Sequence, residues 1–248
     1  MDGKYVKEDT PIFVESTEKL EFGAEDTLPN VSVDNLIFSL QDSKLKLLLV
    51  KYTRGIASNK WGVIGHWVKL DESLDEAALR VIKKVTLVKK LYLEQLSTFG
   101  AVDRYPLSRI ITVAYYALVR FEDVKITTGN KDIEVAWFDV NELPDLIFDH
   151  QNIVEAAIKQ LRYKVRHEPV GFSLLPEKFS LLQLQEIYEA ILGQKLDKPN
   201  FRRKILKMNL LIDCKEKQTN VAHRAAGLYQ FDETAYRRLT EFGFSFEL

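Results

Sequence analysis

Apolar positions recur along the chain in two rhythms, and the switches between them mark its elements. Val31, Val33, Leu36, Ile37, Phe38 and Leu40 predict a strand, and residues 41–44 predict a turn. Leu45, Leu47, Leu48, Leu49 and Val50 are nearly continuous, as in a strand buried on both faces, and residues 51–54 continue it. Residues 61–64 predict a short strand. From Ser73 the rhythm becomes helical: Leu74, Ala78, Val81, Ile82 and Val85 share one face. Ser73 or Asp71 can cap that helix. Asp75 and Glu76 fall in its first turn, where the helix dipole favours carboxylates. Strand patterns return at 91–100, 110–119 and 133–139, with a polar loop at 101–109 turning at Pro106. A helix follows from about 152 to 166. Residues 1–30 carry no sustained period and are expected to form a loosely held extension.

A second group of elements follows a link at 167–171. Residues 180–192 predict an amphipathic helix with Leu184, Ile187, Tyr188 and Ile191 inward, ended by Gly193. Asp197 and Pro199 then suit the cap and first turn of a helix over 198–208. Phe201, Ile205 and Met208 form its core face. At about 100° per residue, Arg203 and Lys207 point away from that face, and Asn200 lies beside Lys207. Residues 210–214 and 227–231 predict a hairpin. The expected organisation is an extension (1–30), an α+β domain (31–165) and a smaller C-terminal domain (170–248).

Composition agrees with two domains: 248 residues, 46% of them hydrophobic. The net charge of −1 gives no global attraction to nucleic acid, but its distribution does. Residues 195–224 hold nine Lys and Arg against three acids, so this segment is strongly basic and the remainder is acidic. A polyanion-binding surface and a solvated basic face are both open on charge alone. The single cysteine, Cys214, excludes an intrachain disulfide and a cysteine-cluster zinc site. The four histidines form no i, i+4 pair, and neither a Gly-rich phosphate loop nor a nucleophile elbow occurs. No apolar run approaches membrane-spanning length and no signal-peptide core is present, so a soluble, cytoplasmic protein without membrane contact is expected.

Residues 65–85 resemble the Nudix box, whose pattern is Gly, five residues, Glu, seven residues, then Arg-Glu-apolar-any-Glu-Glu-any-Gly. Glu72 fills the first Glu, Arg80 the Arg and Ile82 the apolar position. His66 stands where Gly belongs, Val81 replaces the Glu after Arg, Lys84 and Val85 replace the Glu pair, and Leu87 replaces the last Gly. Nudix hydrolases cut diphosphates with magnesium- or manganese-activated water, and such hard ions need several carboxylate oxygens. With a lysine and a valine at two ligand positions, the box is expected to survive as a scaffold, with no catalytic residues, no metal and no cofactor. A divergent hydrolase using Asp71, Glu72, Asp75 or Glu76 is the alternative.

The flanks sharpen the resemblance. Glu94-Gln95-Leu96, Thr98-Phe99-Gly100, the Asp103-Arg104 loop ending at Arg109, Ala114-Tyr115-Tyr116 and Phe148-Asp149-His150 look like the bacterial Nudix-related transcriptional regulators. That resemblance implies a Nudix fold, a mixed sheet between helices, followed by a winged helix-turn-helix domain. It implies a transcriptional regulator, expected to be a repressor and a homodimer, with double-stranded operator DNA and a small effector as partners. Relatives respond to ADP-ribose and related nucleotides or to sugars. The effector pocket implied by the fold would be lined or rimmed by Arg54, Trp61, Glu72, Arg80, Asp103, Arg104, Arg109 and His150. An ion pair between Glu72 and Arg80, and a capping role for His150, are the structural alternatives.

For the C-terminal domain the residues themselves suggest a DNA interface. Helix, turn, helix with a basic outer face is a major-groove geometry. Arg203 would read guanine edges and Asn200 adenine. Lys198, Arg202, Lys204 and Lys207 would contact phosphates from the helix. Lys215, Lys217 and Arg224, with His223, would do so from the wing.

Overall fold

The computed structural model describes residues 27–247 except 54, 90, 128–133, 220–224 and 245. The expected extension up to residue 26, Arg54, His223 and Arg224 therefore lie outside the described residues.

A seven-stranded sheet organises the N-terminal part, with strand β1 (Thr27–Gln41) at its centre. Antiparallel β1 neighbours are β2 (Lys44–Lys51) and β4 (Ile64–Lys69), while β6 (Ile111–Leu118) runs parallel to β1. The short β3 (Trp61–Gly62) and β7 (Glu134–Asp139) pair with β2, and β5 (Tyr92–Phe99) closes the far edge against β6. The strand expected from residue 31 starts four residues earlier, because Thr27 pairs with Lys69.

Strand alternation sorts side chains onto two faces. Val33, Ile37, Leu48, Val50, Val113, Tyr115 and Ala117 face helix α1 (Leu74–Val85). Leu36, Phe38, Leu45, Leu47, Leu49, Tyr116 and Leu118 face helix α2 (His150–His167). Every one of these side chains is buried, and each large aliphatic one contributes about 1.5–3 kcal/mol over its exposed state. The mixed sheet between helices is the architecture expected from the sequence.

Helix α1 starts at a capping box. The Ser73 hydroxyl accepts from the Glu76 N–H, and the Glu76 carboxylate accepts from the Ser73 N–H. Its buried residues are Ala77, Ala78, Val81 and Ile82, with Leu74 and Val85 flanking them.

The stretch read as a link is a packed 3-10 turn, Pro169–Leu174, whose Val170, Phe172 and Leu174 are buried. Helix α3 (Leu181–Leu192) follows, capped by Ser180 and Gln183 and ended by Gly193 at φ 70°, a left-handed conformation that suits glycine. Helix α4 (Lys198–Lys207) is capped by Asp197, whose carboxylate accepts from the Asn200 N–H. Strands β8 (Leu211–Lys217) and β9 (Gly227–Phe231) form the hairpin, Phe179 bridges to Tyr229 beside it, and helix α5 (Glu233–Glu241) follows. The α2-side core does not stop at the sheet. It runs through Leu161 and Val165 on α2 to Leu184 and Tyr188 on α3, and to Phe201 and Ile205 on α4.

Candidate functional site

The loop between β4 and α1 is built around one carboxylate. Glu72 Oε2 accepts from Arg80 Nε at 2.7 Å. Glu72 Oε1 accepts from Arg80 Nη2 at 2.5 Å and from the Lys69 N–H at 2.9 Å. Arg80 Nη2 also donates to the Trp67 carbonyl at 2.9 Å. Burial works to raise the Glu72 carboxyl, but the hydrogen bonds from Arg80 and the Lys69 N–H hold it below the usual range. The ion-pair alternative is thus the geometry adopted.

A metal ion does not fit this loop. Both Glu72 oxygens already accept from strong donors, Lys84 and Val85 occupy the positions that would supply further ligands, and the surrounding charge is positive. Lys84 is half-buried one helical turn beyond Arg80. Burial, then Arg80 and Lys69, push its ammonium down to about 8. His66, on β4 in the same cluster, is pushed down to about 4, chiefly by burial and then by Lys84 and Arg80, so it is neutral at pH 7.

Of the other predicted pocket residues, Arg104 and His150 lie together at the start of α2. Arg104 is buried and held by Asp149 and Asp34. His150 is buried, and its Nδ1 accepts from the Val63 N–H at 3.1 Å; burial pushes it down to about 3. It sits so close to β3 that a Cβ on Gly62 would come within 2.8 Å of its ring. It does not cap α2, whose N-cap is Asp149. Trp61 packs on the α2 side of the sheet, edge-on to Phe138 at 4.7 Å with Lys51 over its ring, away from Glu72 and Arg80. Asp103 and Arg109 are exposed on the 101–109 loop. Two pairs of predicted residues are thus brought together: Glu72 with Arg80, and Arg104 with His150, on whose ring the Arg104 charge acts.

Several neighbours of this loop were not among the predicted pocket residues. Trp67, Tyr105 and Phe148 form an aromatic group around Ile110, with Tyr105 and Phe148 edge-to-face at 4.9 Å. Tyr115 donates to Asp75 at 2.6 Å on the α1 face. The period-two pattern of residues 64–69, which places Ile64 and Val68 in the core, was the available signal for Trp67 pointing elsewhere.

The C-terminal domain presents the second site. Lys198, Asn200, Arg203, Lys204 and Lys207 are exposed on α4, opposite buried Phe201 and Ile205. Arg203 Nη2 donates to Asn200 Oδ1 at 2.8 Å, so the two predicted base readers are already aligned with each other. Arg202 is half-buried, with its Nε enclosed. Lys195 pairs with Glu189 and Lys215 with Asp213, which removes two cations from the nominal surplus. Lys198, Arg202, Arg203, Lys204, Lys207 and Lys217 have no carboxylate partner among the described residues.

A sheet of Nudix topology, a degenerate box helix and a winged helix with an exposed cationic helix face define the class of DNA-binding transcriptional regulators with a sensor domain. Comparison with known proteins agrees. Residues 171–231 match the family described as the NrtR DNA-binding winged helix domain. The chain is 31% identical over 207 residues, 82% of its own length and 82% of the relative's, to the ADPR responsive transcriptional repressor NtrR of Acinetobacter baylyi. It is similar to the crystal structure of Shewanella oneidensis NrtR complexed with a 27mer DNA, at 32% identity and a TM-score of 0.72 over 83% of this chain and 95% of that one. The chain belongs to the NrtR family of Nudix-related transcriptional regulators. A shorter likeness, 29% over 127 residues, 51% of this chain and 72% of the relative, connects it to the ADP-ribose pyrophosphatase of Methanocaldococcus jannaschii.

Proposed function

We propose that the protein is a transcriptional repressor that holds operator DNA through α4 and the wing, and releases it when an ADP-ribose-type nucleotide binds residues 31–165. The DNA-binding unit is residues 170–248, and two copies act together on a palindromic site, where the second contact is effectively intramolecular. The observation that carries this reading is the α4 face itself: Arg203, Lys204 and Lys207 stand exposed, without carboxylate partners among the described residues, beside Asn200. Arg203 and Asn200 are assigned to base edges, and Lys198, Arg202, Lys204, Lys207, Lys215, Lys217 and Arg224 to phosphates. The effector class follows from the relatives named for ADPR response and ADP-ribose hydrolysis. Within the N-terminal domain, Arg80 and Glu72 border the effector. The domain does not hydrolyse it, because the Glu72 carboxylate is spent on Arg80 and Lys69.

Fluorescence anisotropy on DNA from upstream of the protein's own coding sequence, at two salt concentrations and against scrambled DNA, tests this reading. Tight, sequence-dependent, salt-sensitive binding that ADP-ribose reverses is expected. Equal weak binding to both DNAs would remove the reading. The likeness to the archaeal pyrophosphatase favours one second reading, a hydrolase, which magnesium-dependent cleavage of ADP-ribose into AMP and ribose 5-phosphate would establish.

A further inference from the structure

Tyr115 and Tyr116 are successive residues of β6, so their side chains leave the sheet on opposite faces. Both rings are buried, Tyr115 on the α1 side and Tyr116 on the α2 side. Each hydroxyl ends on a carboxylate. Tyr115 donates to Asp75, in the first turn of α1, at 2.6 Å. Tyr116 donates to Glu94 of β5 at 2.8 Å, and Tyr92 donates to the same oxygen. The other Glu94 oxygen lies 2.9 Å from Lys164 Nζ on α2, and Lys164 continues to Glu168 at 2.6 Å. Glu168 ends α2 and opens the 3-10 turn Pro169–Leu174, whose Phe172 stacks on Phe231 of the wing with ring centroids 4.4 Å apart.

A chain of polar contacts thus crosses the sheet, from the box helix to the turn beneath the wing. The apolar packing does not cross it, because the α1 and α2 sides form separate clusters. The strand ladder is interrupted at the same level. Glu94 pairs with Tyr116 and Gln95 with Tyr115, but Ser97 pairs with Ala114, so Leu96 is an extra residue that makes a bulge in β5. Asp75 lies three residues beyond Glu72, which borders the effector in the reading above.

We propose that Tyr115 and Tyr116 are positioning residues that couple effector binding on the α1 side to the wing, by fixing Asp75 and the Glu94–Lys164 pair to one short piece of β6. The inference rests on the effector reading above and specifies how that binding reaches the DNA. A displacement at the start of α1 moves the Tyr115 hydroxyl. Tyr116 moves with it because the two share a backbone segment, and the Glu94–Lys164 contact responds on the other face. One element is then biased from both sites, which is what coupling requires.

Two titrations of the full-length protein test it: anisotropy on DNA from upstream of its own coding sequence, with and without saturating ADP-ribose, and calorimetry of ADP-ribose without DNA. In the wild type ADP-ribose should weaken operator binding by about 5–150-fold, the usual range of coupling between sites. Tyr116→Phe keeps the ring and deletes the hydroxyl. It should bind ADP-ribose and operator separately as the wild type does, yet ADP-ribose should change its operator affinity by less than about twofold. Tyr115→Phe and Lys164→Met cut the chain on either side and should behave alike. The double variant Tyr115→Phe, Tyr116→Phe should be no worse than either alone, since one broken link suffices. Tyr188→Phe deletes a buried hydroxyl outside the chain and should keep the wild-type ratio. A wild-type ratio in either Tyr116→Phe or Lys164→Met, or its loss in Tyr188→Phe, overturns the coupling role and leaves the effector reading intact. A wild type whose operator affinity ADP-ribose does not change overturns the effector reading itself.

Discussion

Arg104 holds Asp149 with two parallel hydrogen bonds, Nε and Nη2 each 2.9 Å from a carboxylate oxygen, while Nη2 also lies 3.5 Å from Asp34. One guanidinium thus ties the 101–109 loop both to the start of α2 and to the central strand β1. Burial pushes the Asp34 carboxyl up to about 6, and Arg104 is the main group opposing that rise. Arg104→Leu should therefore leave two enclosed carboxylates without a counter-ion and cost about 3–5 kcal/mol, the usual penalty for breaking a buried pair from one side. Urea unfolding measures this; a loss below about 1 kcal/mol would mean the pair is not structural.

Arg203→Ala removes the central exposed guanidinium of α4 and frees Asn200 from its internal hydrogen bond. Operator affinity should fall by about 1–3 kcal/mol, roughly 5-fold to 150-fold, with little change in affinity for scrambled DNA. Lys207→Ala should weaken both DNAs alike and lower the salt slope by about one. Anisotropy at several salt concentrations separates the two behaviours, and an unchanged operator affinity in the Arg203 variant would move the recognition surface elsewhere. Phe201 and Ile205 are untouched in both variants, so the fold should remain.

His150 is buried neutral, with a folded-state value of about 3 against an ordinary 6.5. Between those values the unfolded chain binds the extra proton and the folded one does not. The stability that this histidine contributes is complete above pH 6.5 and is lost as pH falls toward 3. His150→Asn can keep an acceptor for the Val63 N–H and removes the titration. Its unfolding free energy should change less between pH 6.5 and 4 than that of the wild type. Equal slopes for the two proteins would show that His150 is not the group responsible.

Tyr188 buries its hydroxyl on α3 with no hydrogen-bond partner among the described residues, and burial raises its pKa far above the ordinary range. A polar group enclosed in this way destabilises by about 1–3 kcal/mol. Tyr188→Phe keeps the ring that packs on Phe201 and deletes the oxygen. Thermal melts should show a raised Tm. A lowered Tm would mean that the hydroxyl has a stabilising partner.

The elements that are local in sequence were legible before any coordinates. Ser73, one of two expected caps, starts α1, Gly193 ends α3, and Phe201 with Ile205 form the inner face of α4. Contacts across long separations were not. Arg104 lies 45 residues from Asp149 and 70 from Asp34, so its role as an internal clamp depends on how the sheet closes. Trp61 and Glu72 are near in sequence, yet Trp61 packs on the α2 side of the sheet while the Glu72–Arg80 pair sits with α1. At 167–171, Pro169 and Gly171 signal a loop, but the apolar Val170 and Phe172 between and after them are buried in a 3-10 turn.

The apolar layer that runs unbroken from β1 to α4 limits how this regulator can be rebuilt. A chimera cut after α2, with a foreign sensor placed ahead of residue 169, would leave Leu184 and Ile187 facing a surface that never evolved to receive them. The discarded half would expose Leu161 and Val165 to water, a patch of the kind that drives aggregation. Hybrids should instead take α2 with the DNA-binding part and redesign its contact with the sheet. The seam between sensing and reading runs along one face of a helix, not across a flexible tether.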